Sequence, residues 1–142
     1  MRLGHNNITN VQSIGEGLKT NNTLKVLYLD NNNITDVQSI GEGLKANNTL
    51  TYLSLDNNNI TDVQSIGELL KTNNTLKELY LHNNNITDDS GIQSIIDGLK
   101  TNKTLCLLVL TNNKLSDDMN SQLLNIEQYK MMDQTGINKW KG

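Results

Sequence analysis

Leu24-Lys25-Val26-Leu27-Tyr28-Leu29-Asp30-Asn31-Asn32-Asn33-Ile34 decides how this chain folds, because it returns almost unchanged. The leucines, the asparagine and the final aliphatic come back at Leu50, Leu53, Leu55, Asn58 and Ile60. They recur at Leu76, Leu79, Leu81, Asn84 and Ile86, then at Leu105, Leu108, Leu110, Asn113 and Leu115. The spacing is 26, 26 and then 29 residues. Met1 to Ile8 is the back half of one more copy, with Leu3 in the place of Leu29. Within each copy leucines alternate with outward residues, which predicts a short strand. No such strand is stable alone, so each is expected to pair in parallel with its counterpart one repeat on, about 4.8 Å away. The result is a stacked solenoid.

The asparagine that follows each strand has a structural task. Asn32, Asn58, Asn84, Asn113 and Asn6 sit where the chain turns inward. Their amides can satisfy backbone groups that would otherwise be buried unpaired. A helix is predicted next. Thr35-Asp36-Val37-Gln38 fits a capping box, repeated at Thr9 to Gln12 and Thr61 to Gln64. Val37, Ile40 and Leu44 supply its buried stripe. Gly41 and Gly43 lower helicity by about 1 kcal/mol each but permit close helix packing. Asn47-Asn48 is expected to end the helix through a left-handed cap. Asp88-Asp89-Ser90-Gly91 carries the three extra residues of the fourth copy, which predicts a longer helix and a bulge on the helical side.

The tract Asn74-Thr75-Leu76-Lys77-Glu78-Leu79-Tyr80-Leu81-His82-Asn83-Asn84-Asn85-Ile86 resembles the ribonuclease-inhibitor type of leucine-rich repeat. The resemblance covers about residues 1 to 116. It implies an α/β solenoid: a short right-handed arc, a parallel β-sheet on the concave face and helices on the convex face. Two features depart from the family. The repeats are short, and there are only four full strands and a half, so the arc is expected to be shallow. The Asn-rich, near-identical repeats also resemble the leucine-rich repeat effectors of intracellular bacterial pathogens.

Two domains are read, a repeat array over 1–116 and a C-terminal capping helix and tail over 117–142. Met119, Leu123, Ile126 and Lys130, flanked by Leu124 and Met131, predict one helix through residue 132 that covers the last repeat. Trp140 is expected to fold against it.

Composition narrows the function. The 142 residues carry a net charge of −3 with a pI near 5.2. That disfavours nucleic acid, which needs a basic surface. The single cysteine, Cys106, excludes an internal disulfide and suits a reducing compartment. No apolar run approaches the roughly 18 residues of a membrane span, and the chain opens in a half-repeat rather than a leader. Asn-x-Thr occurs at Asn7, Asn21, Asn33, Asn47, Asn59, Asn73, Asn85 and Asn102. A glycan at every turn would crowd the stack, so the pattern is read as structural and as arguing against a eukaryotic secretory pathway. A cytoplasmic location follows, or delivery by a bacterium into the host cytosol.

Residues between the strand leucines define the exposed face of the sheet. One column is Arg2, Tyr28, Ser54, Tyr80 and Val109. A second is Val26, Tyr52, Glu78 and Leu107. A third is Lys25, Thr51, Lys77 and Cys106, and just past the strands come Gly4, Asp30, Asp56, His82 and Thr111. Three of the four tyrosines therefore share this face. Tyrosine joins apolar area to a hydroxyl and is enriched in binding hot spots. The expected site is Tyr28, Tyr52 and Tyr80 as anchors, oriented by Lys25, Lys77, Glu78, Asp30, Asp56 and His82. Five strands present roughly 300–400 Å², below the roughly 800 Å² per partner of a standard interface. The loops at 30–33 and 56–59, or the tail, must then contribute.

Catalysis reads poorly. Cys106 and His82 lie on adjacent strands but about five residues out of register, roughly 15 Å apart, too far for proton transfer. His5 lies further still. Asp30, Asp56 and His82 form a file that has the residue types for a divalent metal. Loop-edge aspartate is more often solvated or partner-facing, and no metal or cofactor is assigned. The expectation is a non-enzymatic module, monomeric when free, that docks another protein on its concave face. By the family resemblance it would inhibit or regulate a partner enzyme by covering its active site, as a secreted bacterial effector. The alternative is a substrate-recognition adaptor of a larger complex such as a ubiquitin ligase.

Overall fold

The computed structural model describes residues 1–87 and 90–126 in full, and 130–132 and 138–139 as backbone. Helix and strand alternate: α1 (Gln12–Thr20), β1 (Val26–Tyr28), α2 (Gln38–Ala46), β2 (Tyr52–Ser54), α3 (Gln64–Leu70), β3 (Glu78–Tyr80), α4 (Ser90–Thr101), β4 (Leu107–Val109), α5 (Asp117–Leu124), β5 (Lys130–Met132) and β6 (Asn138–Lys139). The sheet runs in chain order from β1 to β6, parallel up to β5, with β6 antiparallel. The half-repeat at the N-terminus adds a single bridge, Arg2 to Tyr28. Leu3 donates to the Tyr28 carbonyl just as Leu29 donates to that of Ser54.

The register aligns like with like. Leu27, Leu53, Leu79 and Leu108 are Cα partners in succession and are completely buried. The helices close the interior with Val37, Ile40 and Leu44, then Val63, Ile66 and Leu70. Full burial of each such side chain contributes roughly 1.5–3 kcal/mol. Close approach of the helices requires glycine: a Cβ on Gly43 would stand 2.3 Å from the Gly15 carbonyl oxygen. The helices are also tied directly, with the Ser39 hydroxyl donating to the Val11 carbonyl and that of Ser65 to the Val37 carbonyl.

Three local expectations change. The helices do not start on a capping box. Val11, Val37 and Val63 hold the N-cap position without any side-chain cap bond, because these valines are needed in the core. Instead Asp36 Oδ1 accepts from the Gln38 amide at 2.7 Å, and Asn10 and Asp62 do the same for Gln12 and Gln64. Asn47 does not adopt a left-handed cap; its backbone is extended. Its side chain is buried and bridges repeats, donating to the carbonyls of Leu18 and Asn21 and accepting from the amides of Thr49 and Leu50. Asn73 and Asn102 repeat this. A glycan on any of the three would destroy that bonding.

The third change is at the C-terminus. Ser116 caps α5, its hydroxyl accepting from the Met119 amide, and Met119, Leu123 and Ile126 pack on the core as expected. The helix nevertheless ends at Leu124, and Lys130 and Met131 belong to a strand. Pairing Leu108 with Met131 covers the polar edge of β4, which a helix through residue 132 would leave open. β5 stands where the next repeat's strand would, so the sheet face is wider than the sequence suggests. Helix α4 has 12 residues against nine in α1 and α2, matching the insertion. Asp88, Asp89 and Trp140 lie outside the described residues.

Candidate protein-binding face

Each strand turns two side chains outward. Val26 and Tyr28 leave β1, Tyr52 and Ser54 leave β2, and Glu78 and Tyr80 leave β3. The register sets Ser54 between Tyr28 and Tyr80, and Tyr52 between Val26 and Glu78. Ser54 is small and buried, so the flanking rings lean towards Tyr52. Ring centroids of Tyr28 and Tyr52 are 5.0 Å apart, and those of Tyr52 and Tyr80 are 5.1 Å apart. Arg2 caps one end, its guanidinium carbon 5.1 Å from the Tyr28 centroid. His82 meets the other end edge-on, 6.4 Å from Tyr80. The five residues form one continuous ladder across the strands. Each aromatic pair contributes about 0.5–1.5 kcal/mol beyond area burial.

The Tyr52 and Tyr80 phenols stay neutral in any physiological range. Burial, helped by Tyr28, Asp56 and Glu78, pushes the Tyr52 hydroxyl up to about 12. Burial and a hydrogen bond to Glu78 raise Tyr80 as well. The Tyr80 hydroxyl donates to Glu78 Oε2 at 3.0 Å.

The carboxylates at the far edge are engaged within the face. Asp56 Oδ1 accepts from the Ser54 hydroxyl, and its Oδ2 accepts from Asn57 Nδ2 at 2.9 Å. His82 Nε2 lies 3.5 Å from Asp56 Oδ2, while Nδ1 is buried without a hydrogen-bond partner. Asp30 Oδ2 accepts from Asn31 Nδ2 at 3.0 Å, with His5 Nε2 3.7 Å away.

At the opposite edge Lys25 and Lys77 are exposed, and among the described residues no carboxylate pairs with either. The helical side differs. Lys19, Lys45, Lys71 and Lys100 each pair with an acidic residue three positions earlier, at 2.8–3.0 Å. Lys71 and Lys100 hold the Glu68 and Asp97 carboxyls below their ordinary values through these hydrogen bonds.

Sequence reasoning missed a second asparagine file at the edge of Asp30 and Asp56. Asn112 Nδ2 donates to Asn83 Oδ1 at 2.8 Å, and Asn83 Nδ2 to Asn57 Oδ1 at 3.0 Å. The chain of amides ends at Asp56. Asn31, Asn57, Asn83 and Asn112 all have φ of 52–55°, a left-handed turn that asparagine tolerates. The signal was the Asn-Asn doublet, whose first member turns the chain and whose second is buried at Asn32, Asn58 and Asn84 and half-buried at Asn113.

Among the described residues, Cys106 and His82 are not brought together. Cys106 Sγ contacts the Thr104 carbonyl, and His82 is held at Asp56. Among the described residues no three His, Cys, Asp or Glu side chains cluster as a metal site requires, and no helix is long and apolar enough to cross a membrane. Two open depressions on the helical side, bordered by Asp36, Gln38 and Glu42 and by Asp62, Gln64 and Glu68, are polar and remote from the tyrosines.

A family model described as leucine-rich repeats (2 copies) matches residues 22–69 and 48–94, about half of the chain. The chain belongs to the leucine-rich repeat family. No curated protein matches it by sequence. Among solved structures it is similar to the actin-binding site 2 of leiomodin-1, with 30% identity and a TM-score of 0.71 over 89% of this chain and 76% of that one. It is also similar to internalin C2 from Listeria monocytogenes, with 26% identity and a TM-score of 0.60 over 93% of this chain and 59% of that one. A further Listeria monocytogenes internalin shares the fold at 20% identity and a TM-score of 0.53, over 90% of this chain and 38% of that one. Leucine-rich repeat proteins commonly bind other proteins and are typically non-enzymatic.

Proposed function

We propose that this leucine-rich repeat protein is a non-enzymatic module that binds a partner protein on its sheet face, with Tyr28, Tyr52 and Tyr80 as anchors. The observation that carries this reading is the stacked tyrosine ladder, in a chain with only 4% aromatic residues. Pre-stacked rings lose little rotamer freedom on docking, which favours hot-spot contacts. The partner is restrained rather than recruited: in the ribonuclease-inhibitor type that the repeats resemble, the same face covers an enzyme's active-site entrance. Delivery into a host cell by a bacterium fits the Asn-rich composition and the internalin likeness. The adaptor alternative has no observation of its own.

A second reading has one. The leiomodin-1 neighbour is an actin-binding site, so actin is a candidate partner to be tried first. Calorimetry of actin, and of enzymes recovered by affinity capture, against wild type and Tyr28→Ala/Tyr80→Ala tests both. A partner that binds wild type alone and loses activity supports restraint. A partner that binds both forms equally removes the sheet face as the site.

A further inference from the structure

We infer that the sheet face takes an amphipathic α-helix with an acidic flank, laid across the strands along the tyrosine ladder. This rests on the sheet face being the docking surface. Its first support is spacing. Successive ring centroids are 5.0 and 5.1 Å apart. One turn of helix advances about 5.4 Å, so one apolar side chain per turn can enter each notch between rings. An extended peptide offers same-side residues only every 6.6 Å or so and falls out of step. Leu107 continues the apolar path onto β4, where Val109 is already buried. From β1 to β4 is about 14 Å, the length of roughly ten helical residues.

The second support is charge. Lys25 and Lys77 are exposed along one side of the ladder without a carboxylate partner among the described residues, whereas the helical-side lysines noted above are neutralised. Thr51 stands between them, so they are two strands apart, about 10 Å. Acidic residues seven positions apart on a helix are separated by about 10.5 Å along the axis and would meet both. On the other side the Asp30 and Asp56 oxygens already accept hydrogen bonds from Asn31, Ser54 and Asn57. Glu78, the carboxylate on the lysine side, likewise accepts from the Tyr80 hydroxyl, so Lys25 and Lys77 stand apart as charged groups without a side-chain hydrogen bond among the described residues and call for an acidic flank.

Short helices are marginal in water, so the probes are lactam-stapled peptides of about 14 residues, slightly longer than the contact. One carries a leucine stripe with glutamates seven apart on its flank. A second replaces those glutamates with lysine, and a third is unstapled with a central proline. Fluorescence anisotropy is read with wild type, Lys25→Glu/Lys77→Glu and Tyr52→Ala. The glutamate peptide should bind wild type at least about tenfold tighter than the lysine peptide, as two charge contacts of ordinary surface strength allow. The double charge variant should reverse that preference, and Tyr52→Ala should weaken both. Equal binding of the proline peptide overturns the helix, equal binding of the lysine peptide overturns its acidic flank, and either leaves the sheet face standing. Absence of binding by any peptide, with a partner protein still dependent on Tyr52, does the same. Tight binding unaffected by Tyr52→Ala overturns the sheet face itself.

Discussion

Asn58 Nδ2 donates to the Leu29 carbonyl oxygen at 3.0 Å, across 29 residues of chain, and so joins one repeat to the previous one. The same nitrogen serves the Leu55 and Asp56 carbonyls, while Oδ1 accepts from the Ile34 amide. One buried side chain therefore satisfies four backbone groups. Unsatisfied buried groups cost about 1–3 kcal/mol each. Asn58→Ala should lower stability by roughly 3 kcal/mol or more, read by urea denaturation. Asn59→Ala, at an exposed neighbour, should change it by less than about 0.5 kcal/mol. Equal effects would show that the ladder does not hold the repeats together.

This division was legible in part. The repeated leucines announced the interior because burial in a strand follows period two, and the structure buries Leu27, Leu53 and Leu79 completely. Asn32 and its counterparts were readable because every turn needs the same backbone groups satisfied. Asn47, Asn73 and Asn102 were not, because their role appears only once neighbouring repeats are in contact. The capping box misled for a related reason: local preference for Thr35 gave way to core packing of Val37. β5 could not be seen at all, since Lys130 and Met131 lack the repeat's leucines and take their strand from pairing with β4. At the site, the tyrosine columns were readable from strand alternation. The leaning of the rings over Ser54 and the internal hydrogen bonds of Asp56 depended on side-chain geometry.

Two glycines separate packing from propensity. A Cβ on Gly43 would meet the Gly15 carbonyl at 2.3 Å, whereas one on Gly17 would meet nothing within 4 Å. Gly43→Ala must push α1 from α2 and should destabilise by about 1–3 kcal/mol, the range for overpacking. Gly17→Ala should stabilise by about 0.5–1 kcal/mol through helix propensity alone. Thermal melts of the two variants should move in opposite directions.

Alkaline titration offers an independent view of the ladder. The folded-state value for Tyr52 is raised from 10.0 to about 12. An acid raised in the folded state contributes stability that is complete below the unfolded value. It is lost as pH climbs from 10 towards 12, because the unfolded chain releases its proton first. Lysines titrate nearby, so the comparison is with Tyr52→Phe. Wild type should lose more stability than Tyr52→Phe over that range. Its absorbance at the phenolate band should also gain a late step that the variant lacks. Parallel curves would mean that Tyr52 is not enclosed by its neighbours.

Cys106 and His82 test the absence of chemistry. Neither contacts the other, and each is engaged locally. Cys106→Ser and His82→Ala should leave partner regulation within a few fold, except where the partner contacts these side chains directly, as it would His82 at the end of the ladder. Loss of a substrate turnover by the isolated protein in either variant would overturn the non-enzymatic reading.

The binding face makes the most direct prediction. Tyr52 touches both neighbouring rings, so it is the centre of the patch, where hot spots usually lie. Tyr52→Ala or Tyr80→Ala should weaken partner binding by roughly 2 kcal/mol or more. The cooperative fold should persist, since neither ring belongs to the fully buried leucine core. Lys45→Ala and Lys71→Ala remove only ion pairs on the helical side. Each should change binding by less than about 0.5 kcal/mol. Stability must be measured beside affinity, because Tyr52→Ala also removes two ring contacts of about 0.5–1.5 kcal/mol each. Calorimetry in which the lysine changes are costly and the tyrosine changes silent would move the site to the helices.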